Sequence, residues 1–121
     1  MTDQAAVFEV VQAGLGAAPG LAVRGDVDVA AVPPLEEALE AAIKTTVGSF
    51  VIDLSDVDFL DSSGLLAVLH ARGLLARDQR ALAVVCPPGP VRQLFEVAGV
   101  AEQFFLYDSR DDVDAALVPA R

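Results

Sequence analysis

Residues 50–64 read FVIDLSDVDFLDSSG, and the change of character inside this stretch decides the fold. Residues 50–54 (FVIDL) form a short, almost wholly apolar run. A run without polar alternation suits a strand buried on both faces, as in a parallel sheet covered by helices. From Ser55 to Gly64 the chain turns polar and acidic, which predicts a loop. Ser63 then opens a helical run, 63–76 (SGLLAVLHARGLLA). Strand, loop and helix in that order are the half-unit of an α/β fold.

The same alternation continues on both sides. Upstream, 35–44 (LEEALEAAIK) carries Leu35, Leu39, Ala42 and Ile43 at helical spacing. Pro33 and Pro34 suit its first turn, and its early glutamates suit the positive end of the helix dipole. Before it, 7–12 (VFEVVQ) and 21–25 (LAVRG) read as strands on either side of a turn at 14–20 (GLGAAPG), which together make a hairpin. Downstream, 81–86 (ALAVVC) is a second doubly buried strand. Pro87, Pro88, Gly89 and Pro90 interrupt the chain before a helix at 90–98 (PVRQLFEVA), which Gly99 can end. A last strand at 104–107 (FFLY), with one of its two phenylalanines in the core, and a terminal helix at 111–118 (DDVDAALV) complete the chain. The order β-β-α-β-α-β-α-β-α predicts a single α/β domain over 1–121. Its sheet is mixed but mostly parallel, with right-handed crossovers.

Composition excludes several classes. The 121 residues give room for one domain and not for two. An apolar share of 54% excludes global disorder. No run approaches the roughly 18 apolar residues of a membrane helix. The first residues lack the basic region and apolar core of a signal peptide. A lone cysteine, Cys86, allows no internal disulfide and suits a reducing cytoplasm, as a buried small hydrophobe. Eighteen acids oppose eight bases, for a net charge of -10. That leaves no basic patch for nucleic acid or for an anionic membrane, and favours a basic protein partner.

In open α/β sheets, sites lie beyond the carboxyl ends of the parallel strands. Two segments leave such strands here, 25–28 (GDVD) and 55–64 (SDVDFLDSSG). Together they gather Asp26, Asp28, Asp56, Asp58 and Asp61 around Ser62 and Ser63. An aspartate or serine before an apolar helix is an N-cap, and solvated capping is the plainer reading of these acids than magnesium chelation. Gly64 weakens the helix by about 1 kcal/mol against alanine. Either a bulky partner must approach the serine backbone, or a side chain there would collide with the sheet. A serine at a helix start also suits a phosphate, because free N–H groups and the dipole favour an anion.

These residues resemble a known family. DSSGL at 61–65, preceded by VIDLSDVDFL, resembles the phosphorylation motif of STAS domains, and more narrowly of bacterial anti-sigma factor antagonists. RGDVD at 24–28 resembles the family's segment after its second strand, and PGPVRQLFEVAGV at 88–100 its third-helix segment. The resemblance covers nearly the whole chain and implies a STAS-like fold. It implies a switch protein whose unmodified form binds an anti-sigma factor serine kinase and frees a sigma factor. The kinase phosphorylates its antagonist and a serine phosphatase restores it. The acceptor implied is Ser63, with Ser62 the second choice. Asp28, Asp61, Ser62, Gly64, Leu65, Leu66 and His70 are the implied partner surface. Many members carry DSSGLG, whereas Leu66 stands sixth here and shares the face of Ser63. The family also contains unmodified scaffolds and nucleotide-binding members, so a scaffold and a nucleotide- or small-ligand-binding sensor domain are the alternative readings.

Other chemistry is poorly served. Ser63 as a nucleophile would need a base within about 2.6–3.2 Å. The only histidine, His70, lies two helical turns, about 10.5 Å, away. A catalytic role is therefore not expected, nor is a metal, since no CxxC or Cys/His cluster exists. The glycines at 14–20 precede a strand rather than a helix, so they form no dinucleotide loop, and no cofactor is expected. On the 63–76 helix, Leu65, Val68, Leu69 and Leu75 can face the sheet, leaving Leu66 and Leu74 toward solvent.

Overall fold

Alternating apolar strands and amphipathic helices assemble into one five-stranded sheet. The structure, a computed structural model, describes residues 9–15 and 18–117, with side chains described for 18–116. Its elements are β1 (Glu9–Leu15), β2 (Ala18–Val27), a 3-10 turn at Val29–Ala31, α1 (Val32–Lys44), β3 (Phe50–Leu60), α2 (Ser62–Arg77), β4 (Leu82–Val85), α3 (Pro90–Val97), a 3-10 turn at Ala101–Gln103, β5 (Phe105–Tyr107) and α4 (Arg110–Leu117). The strands lie side by side in chain order. β1 is antiparallel to β2, and β2 through β5 are parallel. This is the expected mixed sheet in the expected element order.

The apolar run that opens β3 is buried on both faces. Phe50, Ile52 and Leu54 lie in the main core with Leu35 and Leu39 of α1, Val68 and Leu75 of α2, and Phe95 of α3. Phe95 stacks edge-on against Phe104, ring centroids 5.3 Å apart. Val51 faces the other way and packs with Ala18, Ala83, Val85 and Val113 of α4. Phe104 is buried and Phe105 is 60% exposed, so one of the pair is core as expected.

Two stretches differ from expectation. Residues 55–60 are strand, not loop, because β3 runs on to Leu60 beside β2. The register slips between Ala22 and Arg24 and again between Gly25 and Asp26, each time with an extra β3 residue. Each bulge resets the inward side, so Leu54, Val57 and Leu60 are buried at a spacing of three with exposed pairs between. That period is neither strand-like nor helical, which is why it reads as loop. Gly25 at the second slip has φ 92°, a conformation open to glycine. The hairpin strands also reach into the predicted turn. Leu15 pairs with Ala18, and Pro19 with Gly14 before β2 meets β3 at Gly20. Residues 7, 8, 16, 17 and 118 of the predicted elements lie outside the described residues.

Candidate functional site

β2 and β3 run parallel to a common edge, where Val27 pairs with Leu60. Asp28 and Asp61 therefore leave the sheet side by side. Asp28 caps the turn that follows: its Oδ1 accepts from the N–H groups of Ala30 and Ala31 at 3.1 and 3.3 Å. Asp61 caps α2, its Oδ1 accepting from the Gly64 N–H at 3.1 Å. The Asp61 N–H donates to the Val27 carbonyl at 3.3 Å, which ties the two exits together. Both acids serve as the capping reading requires.

Ser62 and Ser63 occupy the first two positions of α2, whose N–H groups have no partner within a helix. Ser62 is exposed and Ser63 is half-buried. The hydroxyl of Ser63 thus sits at the positive end of a sixteen-residue helix, next to a carboxylate already committed to its cap.

Gly64 is buried, and a Cβ there would lie 2.5 Å from Leu60 Cδ1, 2.9 Å from Val27 Cγ1 and 3.2 Å from the Val27 carbonyl oxygen. Of its two sequence readings, clearance of the sheet is sufficient. Leu65 is buried in the core. Both residues thus depart from the expected partner surface, because they face the sheet and hold the edge in position. Leu66 is 64% exposed, one turn beyond Ser62. Leu74, expected toward solvent, is partly buried against the core. His70 is exposed, with Nε2 3.6 Å from Glu40 Oε2, and so lies on the α1 flank of α2.

The expected gathering of acids is only partial. Asp56 is drawn into the ladder opposite Arg24, with which it pairs at 3.9 Å. Asp58 is exposed on β3 and Asp26 half-buried on β2. Among the described residues no group of three carboxylates, histidines or cysteines converges to hold a metal. Cys86 is buried, which pushes its thiol up from 9.0 to about 11 against the opposing pull of Arg92. No described helix is long and apolar enough to cross a membrane.

Two features escaped the sequence. Phe59, 50% exposed, and Val97, 83% exposed, line a shallow groove between the end of β3 and α3. Phe59 was hidden by the bulged period. Asp53, 2% exposed in an otherwise apolar strand, accepts from the Ser55 N–H and hydroxyl and from Arg110 of α4. A lone acid inside an apolar run was its signal.

A family sequence model described as Mlab, STAS domain, matches residues 10–108. A Bordetella bronchiseptica protein assigned as the anti-sigma factor antagonist BtrV is 33% identical over 81% of this chain and 84% of its own length. The crystal structure of an anti-sigma factor antagonist from Mycobacterium paratuberculosis superposes with a TM-score of 0.85 at 26% identity, covering 96% of this chain and 98% of the other. The anti-sigma factor antagonist SpoIIAA in its unphosphorylated form gives a TM-score of 0.71 at 19% identity, covering 95% of this chain and all of the other (100%). At that identity the likeness is one of fold.

Proposed function

This chain belongs to the STAS domain family, on the branch of the anti-sigma factor antagonists, and we propose that it works as a phosphorylation-controlled binding switch. The unmodified protein binds an anti-sigma factor that is a serine kinase and so releases a sigma factor. Asp28, Asp61, Ser62 and Leu66 form the contact edge, with His70 at its border and the Phe59–Val97 groove beside it. Gly64 and Leu65 brace that edge from within. Ser63 is the residue the kinase modifies, and a serine phosphatase reverses the step. The protein acts in the cytoplasm, by binding and not by catalysis.

The observation that carries this reading is the setting of Ser63. Its half-buried hydroxyl stands at the start of α2, one turn from an exposed leucine and beside a capping carboxylate. A neutral hydroxyl there can be covered by a partner at little cost. A phosphate brings about -1.5 to -2 charges at pH 7. The free N–H groups of the helix start favour it in the isolated protein. In a complex it must be desolvated next to Asp61 and Asp28, and each 1.4 kcal/mol lost weakens binding about tenfold.

The test combines mass spectrometry with binding to the purified partner kinase and ATP. The unmodified chain gains one phosphate on Ser63. Ser63→Ala binds the kinase and stays unmodified, while Ser63→Asp binds at least about tenfold more weakly. Equal affinity of the two variants rejects the switch. A chain that binds but is never modified points to the scaffold reading.

A further inference from the structure

A cavity of about 730 Å³ opens at the other end of the molecule, where α1 and α2 finish and β3 begins. Its volume lies in the range of small-molecule sites. Ile43 and Leu74 give it an apolar wall, and Val47, 85% exposed, stands at its mouth. Lys44, Arg77 and Arg80 also line it, in a chain whose net charge is -10.

Arg80 is fixed. Its guanidinium donates to the Ile43 carbonyl at 2.8 Å, the Gly48 carbonyl at 2.7 Å and the Thr46 hydroxyl at 2.8 Å. It lines the cavity and keeps its charge. Lys44 and Arg77 make no hydrogen bond or ion pair with any described residue.

Helix ends attract cations, which is the plain explanation for a basic residue in a last turn. It accounts for where Lys44 and Arg77 stand but gives their side chains no hydrogen-bonding partner, because several of the last carbonyls are already taken. The carbonyls of Ala41, Ala42 and Ile43 accept from Thr45, Thr46 and Arg80. Those of Leu75 and Ala76 accept from the backbone of Asp78, Gln79 and Arg80. Arg92, Arg110 and Arg24, in contrast, each pair with an aspartate elsewhere in the fold.

We propose that this cavity is a second ligand site, independent of the Ser63 edge, that takes a small monoanionic carboxylate with an apolar body. The apolar part packs on Ile43 and Leu74. The carboxylate lies between Lys44 and Arg77, the latter able to grip it with two parallel bonds. A single negative charge is specified by the rim. Glu40, engaged with His70, and Asp78 also line the cavity, and two helix carboxyl ends point into it. Together they oppose a dianion such as phosphate.

The test is titration of the full chain with 2-naphthoate, followed by amide NMR shifts and calorimetry. Its uncharged isostere 2-naphthamide and inorganic phosphate serve as controls. Saturable shifts are expected at residues 43–48 and 74–80, with 2-naphthamide and phosphate each at least about tenfold weaker. Lys44→Gln and Arg77→Gln each lower the affinity about tenfold while the melting temperature stays unchanged, since both side chains are exposed. Asp78→Asn raises the affinity. The proposal is overturned if shifts do not saturate, if they map to the Phe59–Val97 groove, if phosphate binds as tightly as 2-naphthoate, or if both glutamine variants bind like the parent.

Discussion

Gly64 decides how closely α2 can approach the sheet. A Cβ there would collide with the flexible end of Leu60 and with Val27, including its carbonyl oxygen at 3.2 Å. Leu60 can yield by a rotamer change, but the Val27 carbonyl belongs to the ladder and to the Asp61 N–H. Gly64→Ala is therefore expected to destabilise by about 1–3 kcal/mol, despite alanine's better helix propensity. Denaturant unfolding measures it, and a variant as stable as the parent refutes the close-packing account. The side chains on either side of the glycine divide sharply between core and solvent. Leu65 goes inward and Leu66 outward, as the helical period alone indicates. What the period cannot supply is that Gly64 lies too close to Leu60 and Val27 to admit a Cβ. That depends on how far β3 extends beneath the helix.

The extent of β3 is where sequence patterning and fold part company. Four apolar residues around Asp53 announced a strand, and the helices on either side were legible from spacing, α1 also from the prolines at its start. The second half of β3 was not, because bulges change its inward period from two to three. The DSSG segment could still be placed at a strand-to-helix exit, since capping chemistry is local. Its pairing with the Asp28 exit followed from parallel topology. The position of α4 was beyond local reading, because it rests on a contact between distant residues. Among the described side chains of α4, Val113 lies in the second core cluster, and Arg110 reaches the buried Asp53. Arg110→Met leaves Asp53 with the donors of Ser55 alone and should cost about 1–3 kcal/mol. Hydrogen exchange should quicken across α4 while α2 keeps its protection. Unchanged exchange in α4 would show that the Arg110–Asp53 pair does not hold the helix.

At the scale of the whole molecule, Asp26, Asp28, Asp58 and Asp61 lie toward the carboxyl ends of β2 and β3, whereas Lys44, Arg77 and Arg80 share the far end with Glu40 and Asp78. An acidic edge of this kind is oriented by the field of a basic partner before contact, which raises the association rate more than the lifetime of the complex. The acids at the Ser63 edge are not equal in this. Asp28 and Asp61 are bound into caps, so their loss would also loosen local structure. Asp58 is exposed on the bulged end of β3 and can be neutralised without such a cost. The association rate with the anti-sigma factor proposed as partner should fall severalfold as NaCl rises from about 0.02 to about 0.2 M, as the Debye length shrinks below about 10 Å. Asp58→Asn should flatten that dependence and leave dissociation almost unchanged, whereas Lys44→Gln, at the far end, should leave both rates near those of the parent. Stopped-flow measurements across the salt series separate these outcomes. A rate that ignores salt would mean that apolar contact at Leu66 and Phe59, not charge, governs encounter.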